Sequence, residues 1–102
     1  MVAINVYLQT VDGRKKEEVF DLHYSLARLW PIGDPSFPLL QYIDPYGNAI
    51  FNGVQMSEIR KELARLIDKS SDQEQRDVLR RIDELAAQCE KHPHQFLRFR
   101  GD

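Results

Sequence analysis

The chain carries a single cysteine, Cys89, so no disulfide can close within it and nothing marks it for an oxidising compartment. Long apolar runs are missing: no stretch approaches the roughly 20 residues that span a bilayer. The N-terminal MVAINVYLQT alternates apolar and polar residues, where a secretory leader would place a basic stretch and then an apolar one. Excess positive charge is lacking too. The 14 Lys and Arg stand against 16 Asp and Glu, a net charge of −2, which argues against a general nucleic-acid binder. The balance is even along the chain, with 4 basic and 6 acidic side chains in residues 1–52 and 10 of each in residues 53–102. Glycine is sparse, five residues scattered at turns and ends, so no phosphate-cradling loop is present; G-x-S-x-G and H-E-x-x-H are absent as well. These absences lead to the expectation of a cytoplasmic, non-enzymatic protein without cofactor, nucleic-acid or membrane partner.

What is present is an ordinary globular composition, 42% hydrophobic and 29% charged over 102 residues, enough for one domain (1–102) around one modest core. Strict alternation over Val2–Thr10 predicts a strand with Val2, Ile4, Val6 and Leu8 inward. Asp12-Gly13 predicts a tight turn, and the charged segment Glu17–Leu22 a returning edge strand. Helical spacing of Leu22, Leu26, Leu29 and Trp30 predicts a short helix over His23–Trp30, ended by Pro31 and a proline-rich loop. Phe37–Ile43 and Asn48–Asn52 read as third and fourth strands.

Between those two strands lies DPYG, where Asp44, Pro45 and Gly47 match a type I turn with a left-handed glycine, the sequence of a bulged hairpin. Asn52 with Gln55, and Ser71 with Glu74, have capping-box spacing. The two helices that follow run to about Lys69 and over about Asp72–Lys91. The first buries Met56, Ile59, Leu63, Leu66 and Ile67 and exposes Glu58, Arg60, Lys61, Glu62 and Arg65. Gln95–Arg100 alternates and closes the chain as a strand. The expected fold is α+β: a mainly antiparallel sheet of about five strands with a helical hairpin on one face, in the order β-β-α-β-β-α-α-β.

Few constellations invite chemistry. DPYGNAIFN lacks the alternating oxygen ligands of a calcium loop. Cys89, His92 and His94 form C-x2-H-x-H without the fourth ligand of a structural zinc site, and Cys89 falls on the apolar stripe, so no metal is expected. Asp21, Asp34 and Asp44 read as solvated acids in turns or on edges. The informative feature is the sheet face turned away from the helices. If Ile4, Val6, Leu8, Leu97 and Phe99 face the core, the other face shows Asn5, Tyr7, Gln9, Phe96, Arg98 and Arg100. Tyr, Phe and Arg are enriched at recognition surfaces; a solvated face with Arg stems lying over aromatic rings has the same composition. Tyr42, Tyr46 and Trp30 would extend such a patch if the loops fold over it.

The run YIDPYGNAIFNGVQMSEIRKELARL with the terminal LRFRGD resembles small single-domain bacterial proteins of unassigned function, over roughly residues 40–67 and the tail. That resemblance supplies no catalytic residues. A small, acidic, single-domain format is similar to that of bacterial immunity proteins, which block a toxin by binding it. The leading expectation is accordingly a protein binder that occludes a cognate toxin through Tyr7, Tyr42, Tyr46, Phe96, Arg98 and Arg100, with acids at the rim steering a basic toxin. Two alternatives stay open: a homodimeric regulatory or structural module, and a small enzyme or ligand binder with a pocket near Asp44 and His23.

Overall fold

The computed structural model describes residues 3–21, 24–44 and 46–101. The alternating N-terminal segment forms strand β1, Ile4–Thr10. Gly13, at φ +87°, closes the turn behind it in a conformation that a side chain would strain. Strand β2 returns over Lys15–Val19, earlier than the charge pattern suggests, and the register shifts between Leu8 and Gln9.

Residues 20–47 depart furthest from expectation. No helix forms toward Trp30. Leu22 and His23 lie outside the described residues, Tyr24 sits at φ +55°, where a helix cannot continue, and residues 25–29 make separate turns. The physical reason is the Asp21 carboxylate. It is buried, not solvated, and accepts the Ser25 N–H at 2.8 Å, the Ser25 hydroxyl at 2.7 Å and the Leu26 N–H at 3.0 Å. No strand forms over Phe37–Ile43 either. The side chains turned inward are Phe37, Leu40 and Ile43, a spacing of three that suits a 3₁₀ turn and that no strand presents on one face. Leu40–Tyr42 is such a turn.

The DPYG turn therefore closes no hairpin. Asp44 Oδ1 accepts the Tyr46 N–H at 2.8 Å and the Asp44 carbonyl accepts the Gly47 N–H at 3.0 Å, so a turn does form. Gly47 is not left-handed and no bulge follows it; Pro45 lies outside the described residues. Strand β3, Asn48–Asn52, pairs with the last strand of the chain instead of a preceding one.

At the end of β3 the expected reciprocal cap is made: Gln55 N–H to Asn52 Oδ1 at 3.2 Å, Asn52 N–H to Gln55 Oε1 at 2.9 Å. A short 3₁₀ turn, Gly53–Gln55, leads from it into helix α1, Met56–Lys69. A β-carbon on Gly53 would stand 3.1 Å from the Cys89 carbonyl, a tight contact that would press on the end of the facing helix. Helix α1 buries Met56, Ile59, Leu63 and Leu66, as its spacing requires. It also buries Glu62, assigned above to the polar face. That carboxylate accepts the Leu39 N–H at 3.1 Å and the Leu40 N–H at 2.8 Å, the donors that a strand over Phe37–Ile43 would have spent in a ladder.

Helix α2, Gln73–Lys91, is capped by Asp72 and not by Ser71. Asp72 Oδ1 accepts the Gln75 N–H at 2.8 Å, while the buried Gln75 side chain accepts the Ser71 N–H and donates to the Ser25 carbonyl, both at 2.9 Å. The helices are antiparallel. Arg60, near the start of α1, forks onto Asp83 at 2.9 and 3.3 Å and reaches Glu90 at 3.3 Å near the end of α2.

Strand β4, Gln95–Gly101, lies inside the sheet, whose order is β2-β1-β4-β3 with every neighbour antiparallel. The fold is thus α+β with four strands among the described residues, fewer than the five expected, and two α-helices. Ile4, Val6, Leu8, Leu97 and Phe99 do face the helices, and they share one hydrophobic cluster with Leu79, Ile82 and Leu85 of α2. The Phe99 ring lies 5.9 Å from that of Trp30 and 5.8 Å, edge-on, from that of Phe51. Trp30 therefore belongs to the core and cannot extend the opposite face. Among the described residues no helix is long and apolar enough to cross a membrane.

Candidate functional site

With the helices on one side, the other side of the sheet is covered by its own side chains. The register sets them in rows. Glu18, Tyr7, Arg98 and Ile50 cross the sheet from edge to edge; Asn5, Arg100 and Asn48 form a second row. A third row holds Lys15, Gln9, Phe96 and Asn52.

Tyr7 is only 3% exposed even though no helix lies over it. The Lys15 ammonium stands 4.7 Å and the Arg98 guanidinium 5.5 Å from its ring centroid. Each cation gains from the ring face, and each aliphatic stem shields the ring from water. Lys15 also meets Glu18 at 3.5 Å. Arg98 donates from Nε and Nη2 to Asn48 Oδ1, at 3.3 and 3.1 Å, which holds the guanidinium over the sheet. Among the described residues neither Arg98 nor Arg100 meets a carboxylate. Among the described residues the rows carry Lys15, Arg98 and Arg100 against one acid, Glu18. Two guanidiniums that meet no carboxylate among the described residues are suited to carboxylates on another surface.

Of the residues selected from sequence, Tyr7, Phe96, Arg98 and Arg100 are brought together on this face. Tyr42 and Tyr46 are exposed, at 75% and 76%, but lie in the segment before β3, and no ring contact joins them to Tyr7 among the described residues. Sequence reasoning missed Ile50, 53% exposed beside Arg98, and Lys15 beside Tyr7. The alternation of NAIFN already separates Ile50 from the inward Phe51. Its neighbour on the sheet could not be known without the β3–β4 register.

Burial pushes the Cys89 thiol above its ordinary range, and its Sγ lies 3.4 Å from the Gln95 carbonyl, the setting of a core thiol and not of a nucleophile. Among the described residues no three His, Cys, Asp or Glu side chains converge as metal ligands. Asp44 is spent on its own turn, and His23 lies outside the described residues. A surface groove of about 650 Å³ runs between the Thr10–Arg14 turn and His92–Gln95, at the opposite end of β4 from Asp44. Its one carboxylate, Asp12, is held by the Thr10 hydroxyl and by Arg14 at 2.9 Å, and the Thr10 bond first of all keeps it below the usual carboxylate range.

Comparison of the chain with models of protein families, with curated proteins and with solved structures gives no match.

Proposed function

We propose that this chain is a non-catalytic binding domain that recognises a protein partner through the open sheet face, in its most concrete form an immunity protein that occludes a toxin. The observation that carries the reading is the strip Tyr7–Arg98–Ile50 with Arg100 beside it: an aromatic ring already dry beneath its cations, an exposed aliphatic side chain, and two guanidiniums that meet no carboxylate among the described residues. Anchors of this kind, Arg and Tyr on a preorganised surface, dominate binding energy when a partner desolvates them. The charge of the face sets the sense of recognition. It suits a partner that presents Asp and Glu, the reverse of the basic toxin expected from the net charge of the chain.

The test is to ask whether a secreted toxin is encoded beside this chain's gene, and to titrate that protein calorimetrically against the wild type, Arg98→Glu and Arg100→Glu. Loss of a central Arg anchor is expected to cost about 2 kcal/mol or more, roughly thirtyfold in affinity. Unchanged affinity in both variants, or no binding by the wild type, would remove this function.

A further inference from the structure

The two edges of the sheet are built differently. β2 presents Lys15, Lys16, Glu17 and Glu18 and has an irregular register against β1, both devices that keep a foreign strand away. β3 has neither. Asn48, Ala49, Ile50, Phe51 and Asn52 include no charge and no proline, and their register with β4 is unbroken.

The Gly47 carbonyl accepts the Gly101 N–H at 2.8 Å, which sets the alternation of the ladder. Ala49 and Phe51 turn their backbone groups to β4, while Asn48, Ile50 and Asn52 turn theirs to the free edge. Of those edge groups the Asn52 N–H is taken, by Gln55 Oε1 at 2.9 Å.

Laid antiparallel on its own copy, NAIFN is self-complementary. Ile50 falls opposite Ile50, Asn48 opposite Asn52, and Ala49 opposite Phe51, so no like charges meet and a small side chain faces a large one on the core side. We propose that two copies of the chain pair β3 to β3 about a two-fold axis at Ile50, joining two four-stranded sheets into one. The Ile50 pair exchanges two backbone hydrogen bonds, and each Asn48 N–H donates to the Asn52 carbonyl of the other copy. The exposed Ile50 side chains meet on the open face. The two Arg98 residues are then separated by three strand spacings, about 14 Å, beyond the screening length of about 8 Å. The join therefore does not force the positive patches together, and it sets two recognition strips side by side. An interface confined to one short strand from each copy is weak, so the pairing depends on concentration.

Sedimentation equilibrium of the full chain from about 1 μM to about 1 mM should show a monomer–dimer equilibrium. Ile50→Lys changes a side chain exposed in the monomer and places like charges across the axis. It should weaken association at least about tenfold with an unchanged circular dichroism spectrum, while the urea midpoint falls slightly, because the new cation also stands opposite Arg98 within the monomer. Oxidised Ile50→Cys should form an interchain disulfide, because a hydrogen-bonded antiparallel pair holds its Cα atoms about 5.5 Å apart. Asn48→Cys, about 14 Å from its own copy, should not. A monomer throughout that range, a dimer indifferent to Ile50→Lys, or a disulfide from Asn48→Cys and none from Ile50→Cys overturns the proposal. None of these readouts involves another protein, so they stand or fall apart from the toxin reading.

Discussion

Two stretches of this molecule bury hydrophobic side chains by different means. Residues 56–91 do it with two helices, whose backbone groups satisfy one another while Leu63, Leu66, Leu79 and Ile82 turn inward. Residues 20–47 place Leu26, Trp30, Phe37, Leu40 and Ile43 in the same cluster with, among the described residues, only one short 3₁₀ turn between them. Donors there that lack a ladder find Asp21 and Glu62 instead. The difference teaches that irregular chain can enter a core when buried carboxylates accept its N–H groups, since unpaired donors away from water are costly. It also locates the sensitivity of each stretch: apolar volume in the helices, single acids in the loop.

The largest effect should come from the ring that joins the loop stretch to the sheet. Phe99→Ala, between Trp30 and Phe51, should cost about 3–5 kcal/mol in urea unfolding and leave one transition for fluorescence and circular dichroism. Separate transitions would show that the loop stretch is held independently of the sheet. Next, Asp21→Ala strips acceptors from Ser25 and Leu26 and should cost about 2–3 kcal/mol. The exposed Asp12→Ala should leave the urea midpoint close to that of wild type; equal costs at the two sites would erase the distinction drawn between them. Asn52→Ala, at the cap between β3 and α1, should cost about 1 kcal/mol, readable as a shift in melting temperature.

Glu62 tests the comparison through pH. Burial above all, then the neighbouring Glu58 carboxyl, holds it above its ordinary value of 4.5, although the Leu39 and Leu40 N–H groups pull the other way. A carboxyl with a raised folded pKa binds its proton more readily folded than unfolded. Its contribution therefore favours the fold below about 4.5 and is lost as pH rises through the raised value. Relative to Glu62→Gln, the wild type should lose stability as pH climbs through that window, and a constant gap between the two urea midpoints would count against the burial argument. The smallest effect belongs to Tyr46→Ala, within about 0.5 kcal/mol, since that ring is exposed and the turn beneath it is made by Asp44.

The legible parts of the fold are those whose pattern repeats locally. Alternation in β1 and β4 identified the inward face, and the stripes of α1 and α2 located both helices and most of their buried side chains. Phe37–Ile43 misled because a short apolar run reads as a strand, although its inward residues stand three apart. Glu62 misled because its acceptor role depends on N–H groups 22 and 23 residues away, which no helical pattern contains. Six members of the candidate face, Asn5, Tyr7, Gln9, Phe96, Arg98 and Arg100, were readable from the two alternating strands. Ile50 and Lys15 were not, because which strand lies beside which is not a local property.

By itself, then, the sequence determined the periodicities: which segments alternate, which wind at helical spacing, where caps and turns punctuate them. Those follow from each residue's own geometry and that of its near neighbours. Only the tertiary structure decided that β3 joins the end of the chain and not the segment before it, that Asp21 and Glu62 go inside, and that Arg98 lies between Tyr7 and Ile50. Each of those outcomes pairs groups far apart in the chain, and such pairings are selected by the packing of the whole core.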